Sequence, residues 1–238
     1  MILSFNIEYR TNWGEEVKLA GLSTESTPMY TTDGIYWTAE VELEVPQEGL
    51  TIHYSYQIEQ NGIVIRKEWN NFPRCLFLSG TPRKKYRIND CWKNIPEQLY
   101  LYSSAFTEAL LSHPERVDIP QGYKKGLIIK AYAPRINKDY CLAICGNQKA
   151  LGNWDPEKAV LMSDSNFPEW QVELDASKLK YPLEYKFILC HKQERKIDCW
   201  EKNPNRYLAD PEIKTNETLV ISDRYVYFDI PAWKGAGI

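Results

Sequence analysis

The stretch Trp170-Gln171-Val172-Glu173-Leu174 decides the fold, because large apolar residues occupy every second position and polar ones lie between. A period of two puts Trp170, Val172 and Leu174 on one face of an extended strand, and that face has to be buried. Working outward, short segments of this kind recur at 126–132, 140–145, 183–189, 217–221 and 225–229, and earlier at 3–9, 36–43, 52–58 and 64–69. Short strands separated by turn signals predict an all-β chain built of antiparallel sandwiches. The segment between the two groups differs. Ser104 followed by Ala105, Phe106, Leu110 and Leu111, and stopped by Pro114, predicts a short capped helix. The expected architecture is therefore two immunoglobulin-like antiparallel β-sandwiches joined by a partly helical linker, bounded at 1–90, 91–124 and 125–232.

Length and composition agree with that plan. A chain of 238 residues that is 43% apolar has room for two ordinary cores. Its 29 basic and 32 acidic residues leave a net charge of −3 and are spread throughout, so no basic footprint for nucleic acid or an anionic membrane exists. Both are excluded as expected partners. No apolar run is long enough to span a bilayer. Met1 to Arg10 alternates and contains Glu8, unlike a signal peptide, so a cytoplasmic location is expected. The six cysteines form no CxxC pattern and read as reduced, buried hydrophobes. His53, His113 and His191 are isolated, with no nucleophile motif or phosphate loop and no carboxylate pair singled out. The expectation is no catalytic residue, no metal and no cofactor.

Three blocks in the second half carry the chemistry: Leu151-Gly152-Asn153-Trp154, Leu183-Glu184-Tyr185-Lys186-Phe187-Ile188, and Trp200-Glu201-Lys202-Asn203-Pro204-Asn205-Arg206. In this order they resemble starch-binding domains, carbohydrate-binding module family 20, over roughly Tyr123 to Trp233. The resemblance implies that the LGxW turn, the EYKF strand and the WE-x-x-PNR loop converge on one sugar site. The residue types suit an α-1,4-glucan, whose glucose units have an apolar C–H face and a rim of hydroxyls. Trp154 and Trp200 supply flat plates, Lys186 donates, Glu201 accepts, and the Asn205 side chain does both. Arg206 belongs either to the site or to an ion pair supporting its loop.

The two halves look related. Val17-Lys18-Leu19-Ala20-Gly21 resembles Cys141–Gly146, Tyr36-Trp37 falls where Glu169-Trp170 does, and His53-Tyr54-Ser55-Tyr56 resembles Glu184–Phe187. In the first half the LGxW turn is missing, Ser55 replaces the strand lysine, and Lys67-Glu68-Trp69-Asn70-Asn71-Phe72-Pro73-Arg74 is only loosely similar to the WE-x-x-PNR loop. Trp13-Gly14-Glu15 and Tyr30, seven residues before Trp37, instead match the family's second sugar site. The expected second surface is Trp13, Tyr30 and Trp37, although a tryptophan on an alternating strand is more often core, and Trp170 is omitted on that ground.

Two such modules in tandem, the intervening Tyr102–Phe106 segment and the ending Ala232–Ile238 resemble the N-terminal region of 4-α-glucanotransferases of glycoside hydrolase family 77. That resemblance implies a non-catalytic region that binds starch, glycogen or maltooligosaccharide for a fused catalytic domain, to which 233–238 would connect. The alternatives are a glycogen-targeting regulatory module of a kinase or phosphatase, and an interaction scaffold without sugar binding.

Overall fold

In the computed structural model, the described residues are 1–68, 73–80, 85–94, 122–133, 136, 139–194, 196–223 and 226–228. The helix expected at Ser104 to Leu111, Trp69 and the 233–238 ending lie outside them. The first half contributes strands β1 (Ile2–Glu8), β2 (Glu15–Ala20), β3 (Thr27–Pro28), β4 (Tyr36–Glu42), β5 (Leu50–Gln60), β6 (Ile63–Lys67), β7 (Arg74–Leu78) and β8 (Lys85–Cys91). The second contributes β9 (Lys125–Tyr132), β10 (Tyr140–Gly146), β11 (Val160–Leu161), β12 (Ser163–Asn166), β13 (Glu169–Asp175), β14 (Leu183–His191), β15 (Ile197–Trp200), β16 (Arg206–Leu208) and β17 (Glu217–Asp223). Residues 226–228 of the expected 225–229 strand are not extended into any sheet.

The described residues are nearly all β, as expected, and each half has its own core. One is centred on Trp170, Phe187 and Leu142, the other on Phe5, Tyr54 and Ile58. Alternation does what it should: Trp170, Val172 and Leu174 are buried, and Leu3, Phe5 and Ile7 form the inner face of β1.

The halves are not merely tethered by a linker. They share one seven-stranded sheet, in the order β12-β13-β9-β17-β8-β1-β4, flanked by two five-stranded sheets. Within each half the first strand pairs parallel with the last, β1 with β8 and β9 with β17, and the two last strands pair parallel with each other. The expected antiparallel sandwiches are present, with parallel pairing only where the terminal strands meet: a sandwich that brings its N- and C-terminal strands together in one sheet makes them neighbours running the same way.

The shared sheet is buried from both sides near its middle. Leu127, Ile129 and Leu219 face the second core, whereas Ile128 and Val220, one residue out of phase, enter the first. This explains the unbroken apolar run Leu127-Ile128-Ile129 in β9, which a half-buried strand would not need. Lys130 follows on the same face as Ile128. It is 1% exposed, donating to the Cys75 carbonyl at 2.5 Å and paired with Glu169 at 2.8 Å. Likewise Ser222 Oγ donates to Asp90 Oδ1 at 2.5 Å, and from the first half Arg87 donates to the Pro211 carbonyl at 2.6 Å. The junction is thus a ladder of main-chain bonds reinforced by partly buried polar contacts.

Candidate functional site

The turn after β10 is built to push an indole outward. Gly152, Asn153 and Trp154 are consecutive left-handed residues, with φ of +83°, +53° and +61°. A bulky residue in that region costs on the order of 1–3 kcal/mol, so the turn holds Trp154 against a backbone preference. Gly152 cannot be replaced freely, since a Cβ there would lie 2.9 Å from the Lys158 carbonyl carbon. Trp200 ends β15, and the two half-buried rings come side by side with centroids 6.2 Å apart and planes inclined by 46°.

Lys186 reaches the same surface through strand register. Trp200 lies opposite Ile188 on β14, and Lys186 is two residues along, hence on the same outward face and diagonal to Trp200. No ion pair engages its ammonium among the described residues. Exposed Asn205 donates from Nδ2 to Glu184 Oε1 at 2.8 Å, which fixes its amide and leaves its carbonyl available. Glu184 was not among the expected site residues; its place in the EYKF strand, beside Lys186, is the signal that pointed to it.

Glu201 is corrected. It is 2% exposed: Oε1 accepts from the Phe187 amide at 2.8 Å and from Arg206 Nε at 3.2 Å, and Oε2 accepts from Arg206 Nη2 at 2.9 Å. No oxygen is left facing a ligand, so the residue closes the loop from beneath. Arg206 takes the supporting role of its two alternatives, stacking 4.9 Å over the Phe187 ring and approaching Asp223 at 3.4 Å. Burial pushes the Asp223 carboxyl upward despite Arg206, and raises the Tyr185 phenol, whose hydroxyl donates to Asp223 at 2.8 Å.

The first half repeats this support. Glu68 accepts from the Tyr56 amide at 3.1 Å and from Arg74 at 2.6 and 3.1 Å, Arg74 stacks 5.4 Å over Tyr56, and its Nη1 donates to Asp90 at 3.1 Å. Tyr54 donates to Asp90, as Tyr185 does to Asp223. Burial, then the Asp90 charge, holds the Tyr54 and Tyr56 phenols far above their ordinary range. The first half therefore keeps the buried Glu–Arg frame, with Lys67 in the place before Glu68 that Trp200 takes before Glu201.

Of the second expected surface, Trp13 is 100% exposed and Tyr30 72%, whereas Trp37 is 5% exposed. Trp37 is corrected to a core residue: its indole N–H donates to the Tyr9 carbonyl at 3.2 Å, just as Trp170 donates to Ala133. The outward ring on β4 is its neighbour Tyr36, 59% exposed, which alternation alone places on the opposite face. Tyr30 pairs with Thr38, so register sets it diagonal to Tyr36. Trp13 rides on a turn pinned by Glu15, which accepts from the Asn12 amide at 2.8 Å and pairs with Arg66. Those amide bonds, more than the Arg66 charge, hold the Glu15 carboxyl below its usual range.

A charged cleft of about 490 Å³ lies between Lys85, Arg87, Glu212 and Glu217, at the other end of β8 and β17. Its charges offset one another. No group of three or more metal-ligating side chains occurs among the described residues, and no helix there is long and apolar enough to cross a membrane.

Residues 129–220 match the family model described as the starch binding domain of family 20. Along 99% of its length the chain is 22% identical to the 4-alpha-glucanotransferase DPE2 of Oryza sativa subsp. japonica, of which it spans 27%. Among solved structures, it is similar to the family 15 glucoamylase of Hypocrea jecorina (23% identity, 48% of this chain and 19% of that one, TM-score 0.36). It is also similar to the family 20 module of the maltotetraose-forming amylase of Pseudomonas saccharophila (18% identity, 41% and 99%, TM-score 0.33).

Proposed function

We propose that this chain binds α-1,4-glucans without transforming them, and that it delivers such glucans to a 4-α-glucanotransferase of which it forms part. The observation that carries the reading is the Trp154–Trp200 pair, 6.2 Å apart and mutually inclined. Two tilted plates suit a chain that curves, as an α-1,4-linked glucan does, each ring taking one C–H face. Burying one such face contributes roughly 1–2 kcal/mol, part of it offset by ordering the glucan. Lys186 and Asn205 then read hydroxyls at the edge, while Glu201 and Arg206 keep the loop in shape.

Trp13, Tyr30 and Tyr36 form the second surface. The repeated Glu–Arg–Asp–Tyr frame and the matching Trp37 and Trp170 contacts support descent of the two halves from one duplicated module, with the 1–90 and 125–232 boundaries expected from sequence. The resemblance to a plant glucanotransferase supports the fused enzyme, and a cytoplasmic location is part of the same proposal. Titration with maltoheptaose while following tryptophan fluorescence tests the binding: saturable quenching is expected, and an unchanged spectrum at millimolar ligand refutes it.

A further inference from the structure

The register of the shared sheet connects the supports of the two aromatic surfaces. Tyr36 is opposite Glu8, and Glu8 is opposite Cys91. The parallel pairing of β8 with β17 runs to Asn89 opposite Ile221; beyond it the Cys91 thiol donates to the Ser222 carbonyl at 3.4 Å, and the same register continued by two residues sets Cys91 beside Asp223. Tyr36, Glu8, Cys91 and Asp223 thus form one row across four strands. At about 4.8 Å per strand, the row is roughly 14 Å long.

Each end of that row leads to a different aromatic surface. Tyr36 is itself part of one, and Trp13 stands on the turn that follows Glu8. Asp223 grips Arg206, Arg206 grips Glu201, and Glu201 is bonded to Trp200 in sequence. Parallel pairing of the terminal strands is what produces this: it relates the two halves without reversing strand direction, so corresponding loops emerge at the same end. The span is held by Ser222 on Asp90, by Lys130 on Cys75 and Glu169, and by Ile128 and Val220 packed in the first core.

From this geometry we propose that the two surfaces form one composite face, which accommodates a single long α-glucan across both halves in preference to two short ones. The substrate class is then long or helical glucan chains, not maltooligosaccharides that fill one surface. The inference rests on the glucan-binding reading above. Because the shared sheet sets the spacing, occupation of one surface presents the chain to the other at high effective concentration, and affinity rises without any new contact once the chain is long enough to span the row.

The test is calorimetric titration of the full chain with β-cyclodextrin, which fills one surface, and with size-fractionated linear maltodextrins. Two cyclodextrins per chain are expected. Beyond a threshold length, one maltodextrin per chain should bind about tenfold or more tightly than cyclodextrin. Trp13→Ala or Trp200→Ala should each return the long chains to the cyclodextrin affinity. Long maltodextrins binding two per chain at the cyclodextrin affinity, with each variant deleting one equivalent, would overturn the composite face and leave glucan binding intact. Absence of any heat with cyclodextrin would overturn the glucan-binding reading itself.

Discussion

Glu201→Gln separates a sugar ligand from a loop support. The substitution keeps the size of the side chain and an oxygen for the Phe187 amide, but removes the charge opposite Arg206. The Glu201 side chain is 0% exposed and that of Arg206 13%, so the pair is shielded from water. Breaking a buried pair by neutralising one partner costs about 3–5 kcal/mol, which the remaining Asp223 contact reduces to about 3 kcal/mol. If the shared sheet makes the chain melt as one unit of its size, that corresponds to a melting temperature lowered by about 6–12 °C. Glu68→Gln should lower it comparably, since Glu68 and Arg74 are equally shielded. The assays are thermal melting and a β-cyclodextrin titration well below both transitions, where Glu201→Gln should bind within about threefold of wild type. An unchanged melt with lost affinity would show that Glu201 touches sugar, and the reasoning from burial would be refuted.

Other outcomes follow from the same geometry. Trp154→Ala or Trp200→Ala should weaken maltoheptaose binding about tenfold or more, equivalent to ~1.4 kcal/mol, with the melting temperature little changed; a lowered melt with intact affinity would make these rings structural. Gly152→Ala should lower both stability and affinity in denaturation and titration assays, because the new Cβ is strained at φ +83° and meets Lys158. Lys130→Met should cost about 3 kcal/mol in urea unfolding at neutral pH, as it leaves Glu169 buried with less counter-charge. Burial opposes the Glu169 charge, yet Lys130 and Lys93 outweigh it and hold its carboxyl below the ordinary range. A depressed carboxyl stabilises the fold above its unfolded value of ~4.3 and loses that contribution as pH falls through the folded value. The gap between variant and wild type should therefore narrow in unfolding curves taken below about pH 4.3, and a gap that widens there would contradict the pairing.

Legibility in the sequence followed the range of the interactions. Trp170, Val172 and Leu174 announce a half-buried strand because alternation is local, and the same logic applied at Tyr36-Trp37-Thr38-Ala39 would have turned Trp37 inward and Tyr36 outward. The family spacing from Tyr30 led elsewhere. The three blocks meet as their order implied, and the tilt of Trp154 toward Trp200 rests on a left-handed turn that Gly152-Asn153 permits but does not dictate. Glu201 looked like a ligand because a carboxylate beside a tryptophan suits a sugar. Its partner lies five residues on, and the clue was internal: Glu68 and Arg74 persist in the half where Ser55 has replaced the lysine. The shared sheet was illegible, since the pairing of β8 with β17 joins residues more than a hundred positions apart, and nothing in Lys85–Cys91 names its neighbour.

Sandwiching β9 between two cores has a practical consequence for anyone wishing to borrow the second half as an affinity tag. Cut out alone, it would carry Ile128 and Val220 naked on its back, an ammonium at Lys130 stripped of Cys75, and an open strand edge along β17. Such a fragment invites self-association through that edge. A usable excision would need polar replacements at both apolar positions, or else the companion half left attached.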